Sequence, residues 1–235
     1  MDLILISLLS FASAMVTSVF GFGAGLILTP LLGFMMPLTE ALGVAALVFL
    51  FTAGSKVIWY RHDINRQIYL KAFLLSLPGL FLGFATISIV DLSWFETGYA
   101  MLLILFAVNM LRNSEQTRGL LPKTSYPLLG GVLAALMHSG GVFFIRFCQF
   151  HGLNRMQVVG TVAATHFSMN IFKAVFFTGT GLVPPAYIYK LIPAYIAAII
   201  GTRLGRMLLK NHVSERGFTI GMATLLILLA LKYLF

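Results

Sequence analysis

The sequence predicts an all-α polytopic membrane protein made of two inverted repeats, each a re-entrant helical hairpin followed by three transmembrane helices. Three observations carry that expectation. Apolar runs repeatedly reach the roughly 18 residues that a membrane span needs. Basic residues gather in short clusters at the ends of those runs. Two glycine-rich breaks also interrupt apolar sequence at corresponding places in the two halves.

Composition sets the class. Of 235 residues, 59% are hydrophobic and 10% are charged, against about 25% charged in a soluble domain. The net charge of +9 resides in Lys56/Arg61/Arg66/Lys71, Arg112/Arg118/Lys123 and Arg203/Arg206/Lys210/Arg216. Short basic clusters at span ends follow the positive-inside rule, which places them on the cytoplasmic side of the membrane. That distribution argues against nucleic acid as a partner. The lone Cys148 excludes an internal disulfide and a cysteine metal cluster, and no cofactor or metal is implied. Residues 3–20 lack a basic n-region and run straight into further apolar sequence, so they read as part of the mature chain.

The elements follow in order. Repeat 1, residues 1–111, holds a hairpin at 3–34 and helices at 38–60, 68–90 and 94–111. A hydrophilic cytoplasmic connector, "RNSEQTRGLLPKTS", occupies 112–125. Repeat 2, residues 126–235, holds a hairpin at 126–151 and helices at 155–178, 186–209 and 216–234. Sliding the sequence by 117 residues sets Gly23 on Gly140, Gly43 on Gly160, Ala46 on Ala163 and Lys56 on Lys173. Internal repeats of this kind mark secondary transporters.

Loop charge argues for the hairpins. Eight single crossings would put the basic loop 203–216 opposite the other basic loops. Letting 3–34 and 126–151 enter and leave on one side gathers every basic cluster in the cytoplasm. The loops 91–96 and 179–186 and both termini are then external, and the halves are inverted. The stretch "FGFGAGLILTP" at 20–30, with three glycines in five residues of apolar sequence, has its explanation there: Gly23 and Gly140 turn the hairpins inside the membrane. Segment 126–151 splits at "HSGG" into arms of about 12 and 11 residues, each long enough at 1.5 Å per residue to reach the middle of a ~30 Å core. Broken helices at matching places are the best sequence pointer to a binding site.

The same residues carry a resemblance. "SVFGFGAGLILTPLL" followed by "EALGVAALVFLFTAGSKVIWYRHDI", with the echo "HSGG…GLNRMQVVGTVAATHFSMNIFKAVFF", resembles the sulfite exporter TauE/SafE family. The similarity continues through "LPGLFLG" (77–83) and "IPAYIAAIIGTRLG" (192–205). It implies transport of a small sulfur-containing or carboxylate anion, such as sulfite or a sulfonate, across a bacterial inner membrane. The second half departs from the family's repeated glycine motif, since it carries His138 and Ser139 before Gly140 and Gly141.

Candidate binding residues cluster at the breaks and on the helix after each. Gly21, Gly23, Ala24 and Gly25 in one break, and His138, Ser139, Gly140 and Gly141 in the other, would present half-helix N-termini to an anion. Close helix packing through small residues is the competing explanation. His166, Asn170 and Lys173 share one helical face, and an ionisable group in mid-membrane is functional by default; a neutral histidine bonded to a neighbouring helix is the alternative. Lys56 and Lys173 lie four to five residues from their helix ends, so the sequence admits both snorkelling and lining of a pathway, and their pairing by the repeat favours the pathway.

No HExxH, P-loop or GxSxG signature indicates an enzyme. The expectation is a carrier of a small anionic substrate working by alternating access in the lipid bilayer. An anion channel is the first rival, and a membrane-embedded enzyme or assembly partner the second. Intramembrane carboxylates are scarce, so proton coupling would run through His138 or His166, or through backbone carbonyls. Oligomeric state is left open.

Overall fold

The fold was obtained as a computed structural model, and the structure describes residues 3–36, 38–86, 100–101, 103–105, 107–108, 111, 121–181, 183–184 and 186–234. The described elements are helical: α1 (Leu3–Phe20), α2 (Gly25–Leu32), α3 (Leu38–Trp59), α4 (Arg66–Thr86), α5 (Ser125–Met137), α6 (Gly141–Gln149), α7 (Arg155–Gly179), α8 (Ala186–Lys190), α9 (Ile192–His212) and α10 (Glu215–Leu234). Among the described residues, α1, α4, α9 and Glu40–Trp59 of α3 are long and apolar enough to cross a membrane. The helix expected over 94–111 is helical at its described positions. Loop 91–96 and the first part of the connector, 112–120, lie outside the described residues.

Local sequence sets the boundaries. Asn154 and Gln157 form a reciprocal capping box that starts α7, with side chain–backbone hydrogen bonds of 3.0 and 3.2 Å. The helix expected over 186–209 divides into α8 and α9. Pro193 has no N–H to continue a helix and is tolerated in a first turn, so α9 begins there afresh.

Both broken segments fold back on themselves. Tyr126, near the start of α5, lies 5.0 Å from Phe150, just past α6, ring centre to ring centre. In the other segment Ile6 of α1 and Leu32 of α2 share one apolar cluster with Leu42 and Leu191. The arms differ in length: α1 has 18 residues and α2 eight, whereas α5 has 13 and α6 nine.

The residues that reverse the chain are not the expected pair. Gly21 (φ 82°) and His138 (φ 57°) have the left-handed backbone, whereas Gly140 has an ordinary helical φ of −60°. At the second break the Ser139 N–H reaches the Leu133 carbonyl six residues back, at 3.2 Å. The His138 N–H turns to the same carbonyl, so a left-handed histidine ends α5 where a glycine is usual.

The central pair is α3 against α7, running antiparallel: Tyr60 faces Gly160, Gly54 faces Phe167, and Phe49 faces His166. Around it, α1 packs along α9 and α4 along α5. Gly201 of α9 faces Phe11 and Gly205 faces Met15, so α1 and α9 are parallel. Gly79 of α4 faces Leu128 and Gly83 faces Val132, so α4 and α5 are parallel too. In each case a glycine brings backbones close, the usual means of tight packing between apolar helices.

Basic groups share one end of the bundle. Arg206 sits 3.9 Å from the Asp63 carboxylate and over the Tyr60 ring, while Arg203 lies over Trp59. The Asn65 N–H donates to Thr161 Oγ1 at 3.0 Å, which brings the start of α7 to the same end. At the other end Tyr187 donates to Glu40 at 2.7 Å. That hydrogen bond favours the protonated phenol and raises its pKa above the usual tyrosine value, with desolvation adding to the shift.

Candidate functional site

The two breaks meet at the middle of the α3–α7 pair. A Cβ on Gly141 would lie 3.0 Å from the Gly23 nitrogen and 3.2 Å from His166 Cε1. One on Gly25 would run into the side chain of His138, and one on Gly23 into the Phe49 ring and His166. Glycine at these positions lets two backbones and two imidazoles occupy one small volume.

Two helix N-termini open onto that point. α2 starts at Gly25 and α6 at Gly141, and neither has a side-chain cap. The first N–H groups of a helix have no partner within it, and they carry the positive end of its dipole. Both ends favour an anion.

Polar side chains surround the same place. His138, His166 and Asn170 are buried. Both ring nitrogens of His138, Nε2 of His166 and Nδ2 of Asn170 have no hydrogen-bond partner among the described residues. An unsatisfied buried polar group costs on the order of 1–3 kcal/mol, and several at one point suit a polar ligand. The Phe49 ring stands between them. It meets His166 edge-on at 4.9 Å, lies 6.5 Å from the His138 ring, and takes the Lys173 ammonium over its face at 5.4 Å.

Lys56 stands apart from this cluster. Its ammonium donates to Thr17 Oγ1 at 2.9 Å and to the Phe22 carbonyl at 3.3 Å. Seven residues separate Lys56 from Phe49, and Lys173 from His166, so each lysine's backbone lies about 10 Å along its helix from the centre, and the Lys173 side chain reaches back to the Phe49 ring. Because α3 and α7 are antiparallel, the charges flank the centre on opposite sides. Lys56 and Lys173 are 2% and 1% exposed, so both point inward and do not snorkel to a surface.

The remaining expected residues frame the site. Ala24 packs with Phe49 and Ala53. Gly21 faces Val159 and Ile145. Ser139 is buried and its hydroxyl donates to the Leu133 carbonyl at 3.4 Å, and Gly140 abuts the Gly130 carbonyl. These contacts gather Gly23, Gly25, His138, Gly141, His166 and Lys173 about the Phe49 ring, with Asn170 one helical turn beyond His166 on α7 and Gly140 behind.

Phe49 and Thr17 were missed by sequence reasoning. A phenylalanine in an apolar helix carries no signal of its own. The 117-residue offset does single it out, because it sets Phe49 on His166.

A family model described as "Sulfite exporter TauE/SafE" matches residues 6–233. No curated protein and no solved structure matches the chain. With the match running across both breaks and every helix of this multi-pass apolar bundle, the chain belongs to the TauE/SafE family of membrane sulfite exporters.

Proposed function

We propose that this protein is a secondary transporter that exports a small anion, such as sulfite or a sulfonate, by alternating access across a bacterial inner membrane. The observation that carries the reading is the convergence of two uncapped helix N-termini with the partnerless polar atoms of His138, His166 and Asn170. In a bilayer, irregular backbone of this kind is tolerated where it is buried in protein or lines a polar cavity.

The inverted-repeat architecture with re-entrant hairpins belongs to the same proposal. The main packing relations among the described helices have counterparts in the other half: α1 on α9 answers α5 on α4, and α3 pairs with α7 itself. The offset that aligns the breaks also lays Leu38, the first residue of α3, on Arg155, the first of α7. Two halves rocking about the shared centre would expose the anion to each side in turn.

The imidazoles of His138 and His166 add groups able to accept and release a proton beside the anion. Proton coupling through His138 or His166 is therefore part of the reading. Transport by the native protein should then depend on pH, and the double variant His138→Gln/His166→Gln should remove that dependence.

Thermal melting of the purified protein against sulfite, sulfoacetate, thiosulfate and simple carboxylates tests the substrate class. A ligand that binds the folded state raises the midpoint, by RT ln(1 + [L]/Kd) in free energy. The expected result is a concentration-dependent rise with one or more of these anions, lost in His166→Gln. No rise with any of them, in protein that melts cooperatively, would remove the proposed seat.

A further inference from the structure

A groove on the outside of the bundle has a lining that says what fills it. It encloses about 610 Å³ and runs between α7 and α9 over the outer face of α3. Leu50, Gly54 and Trp59 form its floor and one end, with Phe167, Ile171 and Ile199 as walls. Gly54 makes the depth, since a Cβ there would already approach the Phe167 ring at 3.1 Å.

Its dimensions match one leaflet. From Leu50 to Trp59 the groove follows α3 for about 14 Å at 1.5 Å per residue, and half of a bilayer's ~30 Å hydrocarbon core is about 15 Å. Leu50 adjoins Phe49 at the centre of the molecule, and Trp59 lies at the basic end. The groove thus runs from mid-bilayer to the interface where tryptophan is favoured.

Charge marks the mouth. Arg203 is one helical turn beyond Ile199 on α9, is exposed, and stacks its guanidinium over Trp59 at 5.3 Å. Among the described residues it has no acidic partner, whereas neighbouring Arg206 is taken up by Asp63. A second groove of about 480 Å³, between α1 and α9, has no tryptophan in its lining. The first groove ends at Trp59, and the exposed Arg203 guanidinium over that ring puts a cation at its mouth.

We propose that this groove binds one acyl chain of an anionic phospholipid from the basic-side leaflet, with the phosphate held by Arg203 beside Trp59. An anionic headgroup is favoured next to a basic side chain at the cytoplasmic surface, and a guanidinium takes a phosphate in two-point fashion. The lipid then braces the outer face of α3, whose inner face carries Lys56 and Phe49.

The two tryptophans of the sequence make the test direct. In Trp94→Phe protein, Trp59 is the sole tryptophan, and phospholipids brominated along the acyl chain quench it on contact. Titration of the detergent-solubilised full chain should give saturable quenching by brominated phosphatidylglycerol, at least fivefold tighter than by brominated phosphatidylcholine. Arg203→Gln should bring the two lipids level, Arg203→Lys should keep part of the preference, and Ile171→Phe with Ile199→Phe should weaken both. Unchanged melting temperatures establish that the variants fold. Equal quenching by the two lipids, or a preference that survives Arg203→Gln, overturns the proposal. So does an unquenched Trp59 in a dimer that the Ile171→Phe/Ile199→Phe pair dissociates, since the groove would then be an interface between copies.

Discussion

Gly21 and His138 hold the same left-handed backbone at aligned positions of the two breaks, with φ of 82° and 57°. The first half uses glycine, which adopts that conformation freely, and the second uses histidine, which does not. A non-glycine residue held there costs on the order of 1–3 kcal/mol and is a pointer to function.

Replacing His138 by glycine should therefore separate stability from activity. Relief of backbone strain, partly offset by the greater freedom of glycine in the unfolded chain, should leave about 1 kcal/mol of net gain and raise the melting midpoint by about 2–4 °C. Loss of the imidazole should weaken anion binding at least tenfold, about 1.4 kcal/mol. Melting and ligand titration on the same preparation read both effects, and a variant that binds as tightly as the native protein would make His138 a structural residue.

The two glycines first expected to turn the chain should respond differently. A methyl at Gly23 pushes on the Phe49 ring and His166, side chains inside the site. Gly23→Ala is expected to fold and to lose binding by tenfold or more. At Gly140 the methyl meets the Gly130 backbone carbonyl, so Gly140→Ala should lower stability by about 1–3 kcal/mol, the usual cost of overpacking. Ala46→Val, in the apolar cluster near the start of α3, serves as the packing control. Wild-type binding by folded Gly23→Ala would move the site elsewhere.

Lys56 is tied to the first break through Thr17 and the Phe22 carbonyl. Lys56→Gln and Thr17→Val should each destabilise the fold, and the double variant should cost less than the sum of the two. A double-mutant cycle by thermal melting is expected to give a coupling of about 0.5–3 kcal/mol, the range for residues in contact. Additive losses would mean that the hydrogen bond contributes nothing to holding the break.

Sidedness is testable with single cysteines at exposed positions. Arg61→Cys and His151→Cys should react with an impermeant thiol reagent from the cytoplasmic side, and Thr180→Cys from outside. The native Cys148 is buried and should stay silent. Labelling of positions 61 and 151 from opposite sides would discard both the hairpins and the inversion.

The sequence by itself determined the solvent, the helical class and the places where the helices break. Each depends on quantities that run along the chain: unbroken apolar length, charge at span ends, and glycine clusters such as those at 21–25 and 140–141. The 117-residue offset is likewise a property of the linear order, and it paired Lys56 with Lys173 without reference to space. Only the tertiary structure decided where those residues point. The inward burial of both lysines, the contact of Lys56 with Phe22 and the place of Phe49 beside His166 depend on how α3 and α7 are rotated about their axes. Helices that are apolar on nearly every face carry no periodicity to reveal that rotation. The turning residues were hidden for a related reason: glycine permits positive φ without requiring it, so the choice of Gly21 over Gly23, and of His138 over Gly140, was made by the packing of the two breaks against each other.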